Sequence, residues 1–168
     1  MKDNLDKKRL YYSQVITVWE NFCKLHKDLY DLTCEEYLTL LASDIDKLEN
    51  MLPLKDEIIE KIGELEKERT ELIEKINLED LFPEKKIAKA GDLIAVYSFL
   101  DKETSLPALK NLNSLLIDII QKIQEQNKKN QMFLNKAMQS LREVKQGFNG
   151  KKTYTTYGAD GLTRSLPR

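Results

Sequence analysis

The stretch that decides the fold runs from residue 35 to residue 76 and reads EEYLTLLASDIDKLENMLPLKDEIIEKIGELEKERTELIEKI. Its apolar residues recur at alternating steps of three and four, which is the spacing of a helix that packs lengthwise against another helix. Ser43 interrupts this pattern and is followed by an acidic Asp46, so we expect Ser43 to cap a second helix. Pro53 predicts a kink or a break between Asn50 and Pro53. The stretch therefore predicts two helices that form an antiparallel hairpin.

The helical pattern continues outward from this stretch in both directions. It predicts a first helix over about residues 5–42, a short helix over residues 93–100 capped by Asp92, and a long helix over about residues 105–147 capped by Thr104 or Ser105. The second helix is expected to span residues 44–76. The stripe that we expect to face the interior on this helix includes Ile45, Leu48, Leu52, Lys55 and Ile59.

The expected fold class is all-α. We expect an elongated antiparallel helical hairpin or coiled-coil bundle with three long helices, a short connecting helix and a flexible C-terminal tail. The expected division of the chain is a helical bundle over residues 1–147 and a flexible, partner-binding tail over residues 148–168.

The composition argues against several classes of protein. The 168 residues contain 27 Lys and Arg and 28 Asp and Glu, so the basic excess typical of nucleic-acid binding is missing. Apolar runs reach only about five residues, whereas a membrane span needs about 18. The first twelve residues contain no apolar core of a signal peptide, so we expect a cytoplasmic protein.

The sequence gives little support for catalysis or for metal binding. His26 is the single histidine, and no local motif supplies partners for nucleophilic catalysis. Cys23 and His26 offer at most two metal ligands, whereas a structural zinc site needs four. Cys23 and Cys34 lie about 16 Å apart along one helix, so they cannot bridge each other. We expect no enzyme activity, no cofactor and no metal.

Polar residues occupy several positions of the predicted packing stripes, namely Glu36, Lys55, Glu66, Arg69 and Asn130. An antiparallel hairpin that turns near Ser43 would place Arg69 near Glu20, and Lys55 near Asp31 or Glu35. We interpret these residues as a structural seam of polar pairs that fixes the register of the helices. Contact with a partner is the alternative interpretation.

The end of the last helix and the tail contain the residues that we expect to bind a partner. The tail after Gln146 holds four basic residues and one acidic residue and has no helical periodicity, so it is either a solvated end or a segment that folds on a partner. The residues predicted to contact a partner are Leu134, Met138, Leu141, Val144 and Phe148 on the helix, and Tyr154, Tyr157, Gly158, Gly161 and Leu162 in the tail.

Taken in order, these features resemble the FlgN family of flagellar export chaperones. The resemblance covers about residues 12–162. It rests on residues 35–76, including Lys55 and the Glu66-x-x-Arg69 spacing, on NQMFLNKAMQSLREV at residues 130–144, and on TYGADG at residues 156–161.

The resemblance implies a cytoplasmic chaperone that works without ATP. Such a protein holds the hook-associated proteins FlgK and FlgL before export, covers an amphipathic terminal helix of its client to prevent premature assembly, and delivers the client to the export apparatus. The C-terminal region is the implied binding part. The alternative function is a structural coiled-coil or oligomerisation protein with an inert tail, and weak self-association is compatible with either function.

Overall fold

The computed structural model describes residues 2–103, 108–150, 155–157 and 163–165. Its helices are α1 (Lys2–Leu41), α2 (Ile45–Leu78), α3 (Ala90–Asp101) and α4 (Leu109–Gly150). Two short strands, β1 (Thr155–Tyr157) and β2 (Thr163–Ser165), form an antiparallel pair. The predicted all-α class, with three long helices and one short connecting helix, is confirmed.

The turn between α1 and α2 is capped one residue later than the sequence predicted. Ser43 has a positive φ of 55° and ends α1 in the left-handed conformation. Asp44 is the N-cap of α2, because its carboxylate accepts a hydrogen bond of 3.0 Å from the backbone N–H of Lys47. The prediction of Ser43 as the cap is therefore wrong, since a residue in the left-handed region serves the end of the first helix instead.

Pro53 lies inside α2 and does not break it, because the helix runs without interruption from Ile45 to Leu78. Proline removes one backbone hydrogen bond from a helix interior. Packing on both sides of Pro53 offsets this loss: Met51 is buried, and Lys55 is ion-paired with Glu36 of α1. Of the two predicted outcomes, the break is therefore wrong, and a kink at Pro53 stays a prediction.

The short helix α3 begins three residues earlier than predicted. Asp92 lies in its first turn rather than at its cap, and its carboxylate accepts hydrogen bonds from the backbone N–H groups of Ala88 and Lys89. The hydrogen bond from Ala88, followed by the one from the Lys85 side chain, lowers the pKa of Asp92. Asp92 therefore stabilises the start of α3 from inside the helix.

The start of α4 is held by a residue of α3. The Asp101 carboxylate accepts a hydrogen bond of 3.0 Å from the backbone N–H of Leu109, and Tyr12 of α1 donates its hydroxyl to the same carboxylate. The predicted caps Thr104 and Ser105 lie outside the described residues. Asp101 thus connects α1, α3 and α4 at one end of the fold.

The chain divides into two compact units, residues 1–128 and residues 129–168. The first unit contains one hydrophobic core, built from α1, α2, α3, the connection before α3, and the start of α4. Trp19 is buried in this core, and its indole N–H donates to Asn113 at 3.1 Å. The other main members of this core are Val15, Val18, Phe22, Leu65, Ile76, Leu93, Tyr97, Leu109 and Leu112. The second unit contains the end of α4 and the strand pair.

Candidate partner-binding surface

An exposed apolar face lies on the C-terminal part of α4. We call it the α4 stripe, and it consists of Leu134, Met138, Leu141, Val144 and Phe148. Steps of four and three residues place these side chains on one side of the helix. Leu134 is half-buried, whereas Leu141 and Phe148 are 69% and 72% exposed, and every residue from 135 to 148 is exposed. Four of the five helix residues predicted to contact a partner therefore face solvent.

The polar side chains around the α4 stripe divide into two groups. Gln131 donates to Asn135, and Gln139 donates to Glu143, each at 3.0 Å and each one helical turn apart. These pairs stabilise the polar side of the helix. At 100° per residue, Arg142 and Lys145 lie along one edge of the stripe. The stripe is therefore an apolar surface with a basic edge.

The tail residues predicted to bind a partner have a different status. Tyr157 belongs to β1, and its backbone pairs with Thr163 of β2. Tyr154, Gly158, Gly161 and Leu162 lie outside the described residues. The strand pair was not predicted, although two short runs rich in Thr, Tyr and Ser on either side of a Gly-containing segment are a known signal for antiparallel strands.

The structure brings Glu36 and Lys55 of the predicted seam together across two helices. The Lys55 ammonium donates to Glu36 at 2.7 Å and to Asn127 of α4 at 3.4 Å. The expected neighbours of Lys55 pair elsewhere, because Asp31 binds Lys27 and Glu35 binds Lys47.

The other seam residues make different contacts from those expected. Arg69 binds Glu66 of its own helix at 2.7 Å, and an ion pair between Arg69 and Glu20 is not present among the described residues. Asn130 is buried. Lys55 and Glu36 therefore form a seam pair between two helices, and Arg69 with Glu66 is a pair within one helix.

A second exposed apolar surface lies on α2 and was assigned to the interior by the sequence analysis. We call it the α2 ridge, and it consists of Ile45, Leu52 and Ile59. These side chains are 60%, 51% and 50% exposed. The inward-facing side of α2 instead carries Met51, Leu65, Leu72 and Ile76. The prediction that Ile45, Leu52 and Ile59 pack inside is therefore wrong.

His26 and Cys23, whose side chains could in principle act in catalysis or bind a metal, contact backbone carbonyl groups of the fold. Nδ1 of His26 lies 2.8 Å from the carbonyl oxygen of Phe22, one turn earlier in α1. Cys23 donates its thiol to the carbonyl of Leu112, and burial raises the pKa of this thiol. Cys23 and Cys34 are free thiols. No group of three or more His, Cys, Asp or Glu residues that could hold a metal occurs within the described ranges.

None of the described helices is long and apolar enough to cross a membrane. Together, the fold and its exposed α4 stripe define a class: an all-α protein with an amphipathic helix whose apolar side is exposed.

Comparison with known protein families then shows which family the chain belongs to. The family described as FlgN protein matches residues 10–165, so the chain belongs to the FlgN family, a family of flagellar export chaperones. Comparisons with curated proteins and with solved structures gave no match.

Proposed function

We propose that this protein is a cytoplasmic chaperone that binds the terminal amphipathic helix of hook-associated proteins of the FlgK and FlgL type. Family membership supports the general role. The α4 stripe is the proposed contact surface on the helix, and Tyr154, Tyr157, Gly158, Gly161 and Leu162 are the proposed contacts in the tail.

The exposure of the α4 stripe is the observation that carries this proposal. Met138, Leu141, Val144 and Phe148 hold four large apolar side chains in solvent over less than three helical turns. An exposed amphipathic helix is suited to pair with another amphipathic helix, because each covers the apolar side of the other. The partner with the required chemistry is a helix with its own apolar stripe.

The consequence for the client is that its terminal helix is covered until export. A client helix that later packs against copies of itself presents the same apolar stripe to premature partners. Binding to the α4 stripe removes the client's apolar stripe from solvent and needs no chemical step. Delivery to the export apparatus then follows while the client remains bound.

Isothermal titration calorimetry with the full chain and a peptide of a hook-associated protein's terminal helix tests the proposal. Replacing both Leu141 and Phe148 by Ala is expected to weaken binding at least about thirtyfold, because large buried side chains at an interface centre each contribute about 1–2 kcal/mol or more. Ile117→Ala is the matched control, since Ile117 is a 49% exposed apolar residue of α4 outside the stripe.

Equal affinities of both variants and the unaltered protein would contradict the proposed surface. No binding of the peptide by the unaltered protein, together with an oligomer whose mass does not change on dilution, would favour the structural coiled-coil alternative.

A further inference from the structure

The two edges of the α4 stripe differ in charge. Viewed along the helix at 100° per residue, Lys145 lies between Leu134 and Met138, and Arg142 lies about 40° beyond Met138. Both basic side chains are exposed, and neither has an ion-pair partner in the described part of the chain. One edge of the stripe therefore offers two positive charges to whatever covers it.

The opposite edge of the α4 stripe is uncharged. Val144 is the stripe residue at that edge, and Phe133 and Ser140 lie about 20° and 40° beyond it. A helix that covers the stripe thus meets charge along one of its sides and neutral side chains along the other. Such an asymmetry discriminates between amphipathic helices that share the same apolar stripe but differ in the charges beside it.

The other charged residues of this part of α4 lie on the side of the helix away from the stripe. Glu143 is the one acidic residue between residues 131 and 148 in the sequence, and it accepts a hydrogen bond from Gln139 at 3.0 Å. At 100° per residue, Glu143 and Lys136 both lie roughly opposite the stripe. The basic edge is therefore not neutralised by a carboxylate of its own helix segment.

We propose that the α4 stripe selects client helices that carry Asp or Glu along one edge of their own apolar stripe. This inference rests on the proposed function and names the chemistry of the client. Covering the stripe brings Arg142 and Lys145 against the edge of the client helix and partly out of water. A carboxylate at that edge is then attracted, and a basic residue there is repelled.

Lys145 has a second role in this contact. Because it lies between Leu134 and Met138, its aliphatic part adds to the covered apolar surface while its ammonium group stays at the rim. The apolar contacts supply the affinity for any amphipathic helix. The two basic residues supply the choice among such helices.

An anionic lipid surface is the other partner that a basic amphipathic helix can meet. Helices that lie on membranes are rich in Lys and Arg on their polar face. The polar side of this segment instead consists mainly of Gln and Asn and includes Glu143. A protein helix with an acidic edge is therefore the favoured occupant.

Calorimetry with the full chain and two designed peptides is the first measurement. Both peptides are amphipathic helices of about 18 residues, long enough to cover the stripe, with the same leucine stripe and with either Glu or Lys along one edge. At low salt the Glu peptide is expected to bind about tenfold more tightly, and added salt is expected to reduce this difference. Equal affinities, tighter binding of the Lys peptide, or no binding of either peptide would overturn the inference.

Charge reversal assigns the preference to the basic edge. The variant Arg142→Glu with Lys145→Glu is expected to bind the Lys peptide more tightly than the Glu peptide. The control, Lys129→Glu with Lys136→Glu, makes the same change in net charge at exposed positions of α4 away from the stripe, and it is expected to keep the original preference. Inversion in both variants would mean that net charge decides, and inversion in neither would mean that other residues do; either result contradicts the inference.

Vesicles of phosphatidylglycerol test the lipid alternative with the same two variants. The unaltered protein is expected either not to bind them or to bind them no more tightly than the Arg142→Glu with Lys145→Glu variant does. Vesicle binding that this variant loses and the control retains would assign the basic edge to a membrane surface and overturn the inference.

The terminal-helix peptide of a hook-associated protein separates this inference from the proposed function. If that peptide binds through Leu141 and Phe148 while the designed peptides are bound equally, the proposed function stands and the acidic-edge inference fails. If the Glu peptide is preferred but the terminal-helix peptide does not bind, the selectivity of the basic edge stands and hook-associated proteins are not the clients.

Discussion

At the scale of single residues, Tyr97 of α3 is the most unusual side chain in the core. It is fully buried and lies between the rings of Tyr12 and Phe82, with centroid distances of 5.4 Å and 5.1 Å. Its hydroxyl is buried without a hydrogen-bond partner among the described residues. Burial, followed by the nearby Tyr11, raises the pKa of Tyr97 above its usual range. The ring therefore stabilises the fold while the hydroxyl opposes it.

Replacing Tyr97 by Phe is expected to increase the free energy of unfolding by about 1 kcal/mol at pH 7, because an unsatisfied buried hydroxyl costs about 1–3 kcal/mol. Urea unfolding measures this change. Tyr11→Phe is the control and is expected to lower stability, since the Tyr11 hydroxyl donates to Glu79 at 2.6 Å. A loss of stability in Tyr97→Phe as large as in the control would show that the Tyr97 hydroxyl has a partner.

The same substitution has an expected signature at high pH. The pKa of Tyr97 is higher in the folded state than the ordinary value of 10.0, so its titration leaves the free energy of unfolding unchanged below that value and lowers it as pH rises above that value. The unfolded chain ionises there while the buried ring stays neutral. The loss of stability above about pH 10 is therefore expected to be smaller in Tyr97→Phe than in the unaltered protein.

At the scale of helices, a polar layer connects three elements of the first unit. The side chains of Glu36, Lys55 and Asn127 come from α1, α2 and α4. Glu36 and Lys55 retain only 18% and 21% of their side-chain exposure, so their pairing takes place largely out of water. A polar group at a helix seam lowers stability relative to an apolar residue but selects one alignment of the helices. We therefore expect this layer to fix the register of α1, α2 and α4.

Reversing the charge of Lys55 to Glu is expected to lower the free energy of unfolding by about 1–3 kcal/mol, because a half-buried Glu36 then faces a like charge. Lys75→Glu is the control, and it is expected to cost less than about 1 kcal/mol because Lys75 is exposed. Exchanging the pair, with Glu36→Lys and Lys55→Glu together, is expected to recover most of the loss in urea unfolding. Equal losses for Lys55→Glu and Lys75→Glu would show that the layer does not determine stability.

The helices were predictable from the sequence, but several of their ends were not. Alternating steps of three and four residues are a local signal, and they located all four helices. The cap of α4 is not local, because Asp101 reaches it from α3 across eight positions of the chain. A sequence pattern is blind to such a contact, since it depends on how α3 and α4 are packed.

The candidate site was predictable only in part, for a related physical reason. The same periodic pattern along α4 produces the buried Leu112 and Ile123 and the exposed Leu141. Periodicity identifies which side chains share a face, but it does not say whether another helix covers that face. The exposed Ile45, Leu52 and Ile59 of the α2 ridge were assigned to the interior for this reason. Burial is a property of the assembled helices.

At the scale of the whole molecule, the core and the candidate binding residues occupy different parts of the chain. Among the described residues, the buried members of the core cluster lie between Tyr12 and Leu112, and the partly buried residues packed against it extend from Tyr11 to Ile119. The proposed client contacts begin at Leu134 and end at Leu162. Residues of the described core and residues proposed to bind a client can therefore be changed separately, which makes truncation of the C-terminal end an informative experiment.

Removal of residues 147–168 is expected to leave the melting temperature nearly unchanged, because the described members of the core cluster and the residues packed against it lie within residues 11–119. The same truncation is expected to strongly weaken capture of a hook-associated protein's terminal helix. Replacing both Tyr154 and Tyr157 by Ala in the full chain is expected to cost at least about 2 kcal/mol of binding free energy, or about thirtyfold in affinity, because tyrosine is a frequent interface anchor.

Replacing both tyrosines by Phe is the matched control and is expected to retain more affinity than the Ala variant, because the aromatic rings supply most of the contact area. Calorimetry with the terminal-helix peptide measures binding, and circular dichroism during heating measures the fold. Unchanged affinity after truncation would place the client contact outside residues 147–168, on the rest of the α4 stripe or on the hairpin of α1 and α2, and would make the tail a solvated end. A large fall in melting temperature would instead show that residues 147–168 stabilise the helices, and the loss of binding could then no longer be attributed to missing contacts.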